Sequence, residues 1–160
     1  MQSAFGYRLG RFRRIGKRQS YPLYLVTAEG ITRERAVVIG NAAHGLHPVA
    51  AQGFNLGLRD VASLAELLAD GCREHGKDFD FGAADLLSAY ADWRAQDQRN
   101  VVRFTDGLIN LFGLPGALAS VGRGAGLAAF DMAPAAKREL ARHTMGLSGR
   151  LSRLARGLPL

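Results

Sequence analysis

The chain has 160 residues, 48% of them hydrophobic and 22% charged, which is the length and composition of one domain with a packed core. Its purely apolar runs are far shorter than the ~20 residues of a transmembrane helix, and we expect no signal peptide from its first residues. The single cysteine, Cys72, excludes an internal disulfide and favours a reducing, cytoplasmic location.

The net charge of +7 arises largely from two basic clusters. The first comprises Arg8, Arg11, Arg13, Arg14, Lys17 and Arg18, and the second Lys137, Arg138, Arg142, Arg150, Arg153 and Arg156. Such clusters suit nucleic acid, an anionic membrane surface or an anionic partner, or they form a solvated surface. Because no nucleic-acid motif accompanies them, and Phe12 is the only aromatic residue within 8–18, we predict no nucleic-acid partner.

Two strands are predicted in the first quarter of the chain. Residues 21–26 are apolar at almost every position, which predicts a strand buried on both faces. Residues 29–35 are polar and turn-like. The β-branched run 36–40 then predicts a buried parallel strand that leads directly into a loop, which extends to about Gly53.

Helices are predicted for most of the remainder. The first, over 58–70, has an amphipathic stripe that Gly71 can end, and the second begins near Asp85 as its cap. The stripes consist of Val61, Leu64, Ala65 and Leu68, and of Leu87, Tyr90, Val101, Phe104, Leu108 and Leu111. We interpret Arg94 and Asp97, which interrupt the second stripe, as an interhelical ion pair, and Arg59-Asp60 as a brace for the helix start.

Two further helices and a tail complete the chain. After a break at 113–116, the glycines of 117–130 suggest a closely packed helix, and Pro134 opens a last helix to about Gly146. We predict that the basic tail 148–160 is frayed. The order of elements predicts an α/β fold that is mostly helical with a few strands, in which one strand–loop–helix unit is shaped for a ligand.

The residues from Val38 to Asp60 form that unit. Gly40 and Asn41 end a strand at the sheet edge where open α/β folds bind ligands, and small residues such as Ala42 allow close approach. Residues 53–57 open a helix whose unpaired N–H groups and dipole attract a phosphate or an electron-rich ring edge.

This stretch resembles the second FAD motif of class A flavoprotein monooxygenases, in particular the ubiquinone-biosynthesis hydroxylases. The matching segments are Gly40-Asn-Ala-Ala43, Leu46-His-Pro48 and Gln52-Gly-Phe-Asn-Leu-Gly57 with Arg59-Asp60. The resemblance implies the C-terminal part of a Rossmann-like FAD-binding hydroxylase. It divides the chain into the end of a substrate-domain sheet, a strand–loop–helix of the FAD-binding domain, C-terminal helices and a basic tail, over 1–28, 29–72, 73–147 and 148–160.

The resemblance also implies a role for single residues. Asn41 stands where the family more often has the aspartate that binds the ribityl chain of FAD, and Ala42 follows it in the same loop. Pro48 is expected near the flavin, and Leu23 in the substrate pocket. The remaining cofactor residues are Gly53, Phe54 and Asn55, whose backbone would contact the pyrimidine edge of the flavin. No catalytic side chain is assigned.

The family's activity is the FAD-dependent hydroxylation of a polyprenylated phenol, with NAD(P)H as reductant. Such a substrate implies a cytoplasmic protein that is peripheral at the inner face of the membrane or part of a ubiquinone-biosynthesis complex. The alternative from the charge alone is a non-catalytic basic binding or scaffold module.

One departure from the family concerns the ADP half of FAD. No Gly-x-Gly-x-x-Gly follows a strand, and the glycine-rich run 122–126 follows none. We therefore expect a partial enzyme, inactive and colourless alone, which self-associates through an open strand edge at 37–39 and the apolar face of 58–70. His44 and His47 lack a third ligand, so we predict that they support the loop and bind no metal.

Overall fold

The structure is a computed structural model that describes residues 2–14, 16–48 and 51–160, without the side chains of Ala4 and Phe5. Most of the described residues are helical. The α-helices are α1 (Gln2–Phe5), α2 (Gln52–His75), α3 (Ala84–Gly113), α4 (Ala117–Asp131) and α5 (Pro134–Thr144). The strands are β1 (Val26–Thr27), β2 (Thr32–Arg33), β3 (Ala36–Val37) and β4 (His44–Gly45). Short 3-10 turns cover Gly40–Ala42, Gly76–Asp78 and Leu154–Arg156.

The strands form two separate antiparallel pairs. β1 pairs with β4, and β2 pairs with β3 in a hairpin whose turn places Arg35 at a φ of 53°. The predicted buried parallel strand over 36–40 is therefore wrong. Only two residues join β2 to β3, whereas a parallel connection needs a crossover of about a dozen residues or more.

The predicted strand over 21–26 is also wrong for most of its length. Only Val26 belongs to a strand, and Tyr21 and Leu23 are 71% and 57% exposed. A strand buried on both faces needs sheet neighbours and a covering layer on each side. In the described part of the chain β1 has one strand neighbour, β4, which contributes two residues.

The core lies between α2 and α3. α2 begins one residue before the predicted helix opening at Gly53 and six before the predicted stretch 58–70, and it runs through Gly71 to His75. A Cβ at Gly71 would lie 2.2 Å from the Phe79 ring, so this glycine makes room for an aromatic side chain inside the helix. The chain leaves the helix at Gly76, whose φ of 61° suits glycine.

The buried face of α2 differs from the predicted apolar stripe. Leu56, Asp60 and Ser63 are buried, whereas Val61 is 48% exposed. The three buried residues are spaced four and three positions apart, which places them on one face of α2, the face toward α3. The stripe prediction is wrong because the polar side chains on this face have partners on neighbouring elements, and partnered polar groups can be buried.

α3 confirms the predicted core positions Leu87, Tyr90 and Val101, which are all buried. Its N-cap is Ala83, which makes no side-chain capping bond, so the prediction of Asp85 as the cap is wrong. Asp85 lies inside the first turn instead, where its charge faces the positive end of the helix dipole. The stripe ends early, since Leu111 is 49% exposed.

α4 and α5 begin where the sequence predicts, after the break at 113–116 and at Pro134. The expected close packing of α4 through its glycines is wrong, because a Cβ at Gly122, Gly124 or Gly126 would meet nothing within 4 Å in the described part of the chain. The end of α5 is anchored to the body of the molecule. The Gln52 amide donates to the Thr144 carbonyl at 2.9 Å.

The tail is ordered by contacts with α2 and α3, so the prediction of a frayed tail is wrong. The Arg153 backbone N–H donates to a carboxylate oxygen of Glu66, and its guanidinium donates to Asp70 at 2.5 Å. The Arg150 guanidinium lies 3.7 Å from the centre of the Trp93 ring. Two of the tail's arginines therefore stabilise the fold.

Among the residues that the structure describes, no helix is long and apolar enough to cross a membrane.

Candidate flavin-binding loop

The start of α2 presents free backbone donors. Its N-cap, Ala51, has a left-handed φ of 51° and makes no side-chain capping bond. The first N–H groups of a helix have no partner within the helix, so this end attracts negative charge. Among the described residues a Cβ at Gly53 would meet nothing within 4 Å, and Phe54 and Asn55 are exposed.

The turn at Gly40–Ala42 lies directly against α2. Gly40 has a φ of 59°, and a Cβ at Gly57 would approach the Gly40 Cα to 3.2 Å. Both glycines are therefore required, one by backbone conformation and the other by close packing. Asn41 and Ala42 remain exposed at the surface of this contact.

Asp60 fixes the turn to the helix. Its carboxylate accepts the Gly40 N–H at 3.2 Å and contacts the His44 ring Nε2 at 2.6 Å. The other carboxylate oxygen accepts from Arg94 Nε at 2.8 Å and from the Gln98 amide at 3.2 Å. Asp60 is fully buried, and His44 and Arg94 are each 2% exposed. These bonds join the turn and β4 to α2 and α3, so the interpretation of Asp60 as a brace for the helix start is wrong, whereas the interpretation of His44 as loop support is confirmed.

The electrostatics of this cluster favour an ionised Asp60. Burial acts to raise the pKa of its carboxyl, but the hydrogen bonds from His44 and Arg94 outweigh burial and hold the pKa below its usual range. Tyr90 is buried nearby, and burial together with the charge of Asp60 raises the pKa of its phenol. Its hydroxyl has no hydrogen-bond partner among the described residues.

A second ionic contact extends the cluster. Asp97 contacts Arg94 Nη2 at 2.8 Å within α3, and Arg59 Nη1 of α2 at 3.3 Å. Burial lowers the pKa of Arg59, and the charge of Asp97 opposes this effect. The interpretation of Arg94 and Asp97 as an interhelical ion pair is wrong, because the two contact each other within α3. Each instead has an oppositely charged partner on α2, at the consecutive positions Asp60 and Arg59.

Most of the sequence-predicted site residues lie on the Gly40–Ala42 turn, on the start of α2 or on the connection between them. Gly40, Asn41 and Ala42 form the turn, Gly53, Phe54 and Asn55 form the exposed helix start, and Pro48 is exposed on the connection between them. Leu23 lies apart in the sequence, before β1 and outside any strand. Sequence reasoning gave Asp60 only a bracing role and missed its bonds to His44 and Gln98. The polar positions 94 and 98, one turn apart, were the available signal.

The turn at Gly40–Ala42 and the start of α2 together form a cradle that fits a flavin in three respects. A helix end without a capping side chain supplies backbone donors, and the open position at Gly53 leaves room for a planar ring. The exposed amides of Asn41 and Asn55 can donate and accept hydrogen bonds. His44 is committed to Asp60, and no group of three metal-ligating side chains occurs in the described part of the chain.

These features are those of a flavoprotein, and residues 4–105 match the FAD binding domain family, to which the chain belongs. The predicted mostly helical FAD-binding fold is confirmed. Over 163 residues the chain is 40% identical to ubiquinone hydroxylase UbiL of Rhodospirillum rubrum, with 100% of this chain and 37% of the relative covered. It is 32% identical to ubiquinone hydroxylase UbiM of Neisseria meningitidis, with 87% and 30% covered.

Two further similarities agree with this family. The ubiquinone biosynthesis monooxygenase COQ6 of Homo sapiens is 37% identical over 92 residues, with 58% of this chain and 19% of the relative covered. A solved structure from structural and functional studies of BexE, concerning oxidation during BE-7585A biosynthesis, superposes with a TM-score of 0.61. It is 29% identical, and the match covers 77% of this chain and 24% of that one. The chain thus spans well under half of the length of these relatives.

Proposed function

We propose that this chain forms the flavin-ring side of an FAD-dependent hydroxylase of ubiquinone biosynthesis, which uses NAD(P)H to hydroxylate a polyprenylated phenol. The observation that supports this most directly is the bare start of α2 held against the Gly40 turn. It occurs within the segment that matches the FAD binding domain family, and the relatives named above are ubiquinone hydroxylases.

Each residue of the cradle has a distinct role in this proposal. Asn41 hydrogen-bonds the ribityl chain, and the backbone from Gly53 to Asn55 contacts the pyrimidine edge. The α2 dipole stabilises negative charge on that edge. Bound FAD would supply the oxygen chemistry, while the protein orients the ring and excludes water. Ala42 and Pro48 border the flavin, and Leu23 contributes to the substrate pocket.

Asp60 contributes by positioning the turn. Its bond to the Gly40 N–H joins the turn to α2, and His44 and Arg94 hold the carboxylate in place. Because the turn and the helix start would contact different parts of one ligand, their relative placement decides whether both contacts form.

The experiment uses a chimera in which this chain replaces the matching part of the Rhodospirillum rubrum UbiL, since the match covers the whole chain. The purified chimera should show flavin absorbance and NAD(P)H-dependent hydroxylation of a prenylated phenol. Gly53→Val should remain folded by circular dichroism, because its Cβ meets open space, yet lose the flavin. The 160-residue chain alone should be colourless.

A matched variant separates binding from folding. Gly57→Val would force its side chain into Gly40, so it should lower thermal stability as well as flavin content. If the Gly53→Val chimera keeps its flavin and activity, the placement of the ring at this helix start is wrong. A chimera that folds without binding flavin would favour the scaffold alternative.

We also propose that the protein is cytoplasmic and peripheral to the membrane, and that the isolated chain self-associates. An exposed apolar row on α2, formed by Phe54, Leu58 and Val61 at 79%, 58% and 48% exposure, supports the second point. Light scattering across a dilution series should show oligomers of the wild-type chain and fewer of Leu58→Asp. A monomer at all concentrations would exclude self-association.

A further inference from the structure

Gln52, the first residue of α2, has a buried side chain at the edge of the cradle. It is 6% exposed, and its amide donates to the Thr144 carbonyl at 2.9 Å. Thr144 is the last residue of α5 and lies 92 positions further along the chain. A single side chain therefore joins the start of the helix that forms the cradle to the end of a distant helix.

This bond joins two helix ends of opposite polarity. The last carbonyl groups of a helix have no partner within the helix and carry the negative end of its dipole. The Thr144 carbonyl is such a group, whereas Gln52 begins α2 at the positive end of another dipole. The bond therefore satisfies a helix-end carbonyl and lies between dipole ends that attract each other.

The first turn of α2 has no side-chain cap. Its N-cap residue, Ala51, makes no side-chain hydrogen bond, and no acidic residue lies in this turn. A capping side chain would stabilise the turn by accepting bonds from its N–H groups, and would then compete with a ligand for them. Gln52 supports the same turn through a bond to α5, which leaves those N–H groups available. The turn is thus supported without loss of its ligand-binding groups.

The segment at the end of α5 is itself held by α2 and α3. We call residues 143–153 the strap. The His143 ring packs edge-on against the Phe104 ring of α3, with 5.5 Å between the ring centres. Gly146 lies so close to α2 that a Cβ there would approach Arg59 Nη1 to 2.5 Å. The arginine contacts of the tail anchor the far end of the strap to α2. The strap is therefore a fixed support for the first turn of α2.

We propose that Gln52 is a positioning residue for the flavin, and that the strap acts through it. The bond to the Thr144 carbonyl fixes the first turn of α2, so that its N–H groups stay aligned toward the pyrimidine edge of the ring. Misplaced donors bind weakly, because hydrogen bonds depend steeply on angle and distance. The inference rests on the proposed function and adds to it a residue and a segment, both outside the ligand contacts, that set the affinity for FAD.

Hydrogen exchange in the full 160-residue chain tests the first step without flavin. Gln52→Met keeps a side chain of similar length and removes the donor. The amides of residues 56–58, which bond to carbonyls of the first turn, should then exchange about fivefold faster, while those of α3 stay unchanged. Gln96→Met alters an exposed glutamine of α3 and should leave residues 56–58 unaffected. If the two variants exchange alike at 56–58, the proposal is wrong.

Flavin affinity tests the second step in the UbiL chimera described above. The dissociation constant of FAD, measured by titration calorimetry on the folded protein, should rise about five- to tenfold in Gln52→Met and stay unchanged in Gln96→Met. A merely structural role would lower the urea midpoint and leave this constant unchanged, which would overturn the inference while the proposed function stands. If the wild-type chimera itself binds no FAD, the proposed function fails and the inference fails with it.

A change within the strap tests whether it acts through Gln52. Gly146→Val should displace the strap and weaken FAD binding, since Gly146 has a φ of 71° and its side chain would meet Arg59. In the Gln52→Met background it should add little, because the bond is already lost. Gly149→Val is the control for backbone strain and should leave binding unchanged, since Gly149 has a φ of 81° and a Cβ there meets nothing within 4 Å among the described residues. Full additivity of Gly146→Val and Gln52→Met would show that the strap does not act through Gln52, and would overturn the proposal.

Discussion

The α2–α3 pair and α4 distribute polar and apolar side chains in opposite ways. Between α2 and α3 the buried residues include Asp60 and Arg94, whereas α4 leaves Leu118 and Val121 mostly exposed. Charges are buried in the first region because each has an oppositely charged partner within the chain. In the second region the apolar side chains have no covering layer among the described residues. Burial therefore follows the availability of partners more closely than it follows residue type.

The largest expected effect tests the buried cluster. Asp60→Asn removes the buried charge that contacts both Arg94 and His44, and should lower the free energy of unfolding by up to about 3–5 kcal/mol, since Arg94 then keeps Asp97 alone of its two carboxylate partners. The measurement is urea denaturation followed by circular dichroism. Asp80→Asn removes the exposed partner of Arg35 and should change stability little. Similar losses in the two variants would mean that burial does not distinguish the pairs.

The same comparison predicts a dependence on pH. The folded pKa of Asp60 is lowered, so its contribution to stability is present above the unfolded value of about 4 and is lost as pH falls through the folded pKa. The stability difference between wild type and Asp60→Asn should therefore shrink as pH decreases below about 4. Urea midpoints measured between neutral and acidic pH test this. A difference that stays constant down to acidic pH would contradict the ionic account.

A smaller effect is expected where the tail meets α2. Arg153→Ala removes the guanidinium contacts to Glu66 and Asp70 and should cost about 1–2 kcal/mol of unfolding free energy. Arg156→Ala, three residues later and exposed, should be neutral in the same denaturation assay. If Arg153→Ala is as stable as the wild type, the contacts of Arg153 add no stability, and the prediction of a frayed tail would stand.

Sequence periodicity predicted the helices better than their buried faces or the strands. The structure contains the predicted helices after residue 52, and it interrupts them at 113–116 and before Pro134, as predicted. The strands over 21–26 and 36–40 were misassigned, because β-branched runs indicate strand preference without fixing a neighbour or its direction. The face of α2 was misassigned because Asp60 is buried by partners that lie 34 residues away at Arg94, which local spacing does not reveal.

The candidate site was predictable where it depends on local chemistry. Glycine positions and an uncapped helix start are properties of a short segment, and the turn and α2 are adjacent as expected. The bonds that hold Gly40 and His44 to Asp60 depend on packing between distant segments. Their geometry therefore required the structure.

The smallest expected effect concerns Asn41, where the family more often has aspartate. The residue is exposed, so the carboxylate of Asn41→Asp remains hydrated, and unfolding free energy should change by no more than about 0.5 kcal/mol. Flavin content of the chimera should be nearly unchanged, since either side chain can accept a hydrogen bond from a ribityl hydroxyl. Asn41→Leu, of similar size, should be equally stable yet lose flavin, because it offers no polar atom. If Asn41→Leu retains flavin as well as Asn41→Asp does, the turn contributes through its backbone alone, and the assigned role of the Asn41 side chain is wrong.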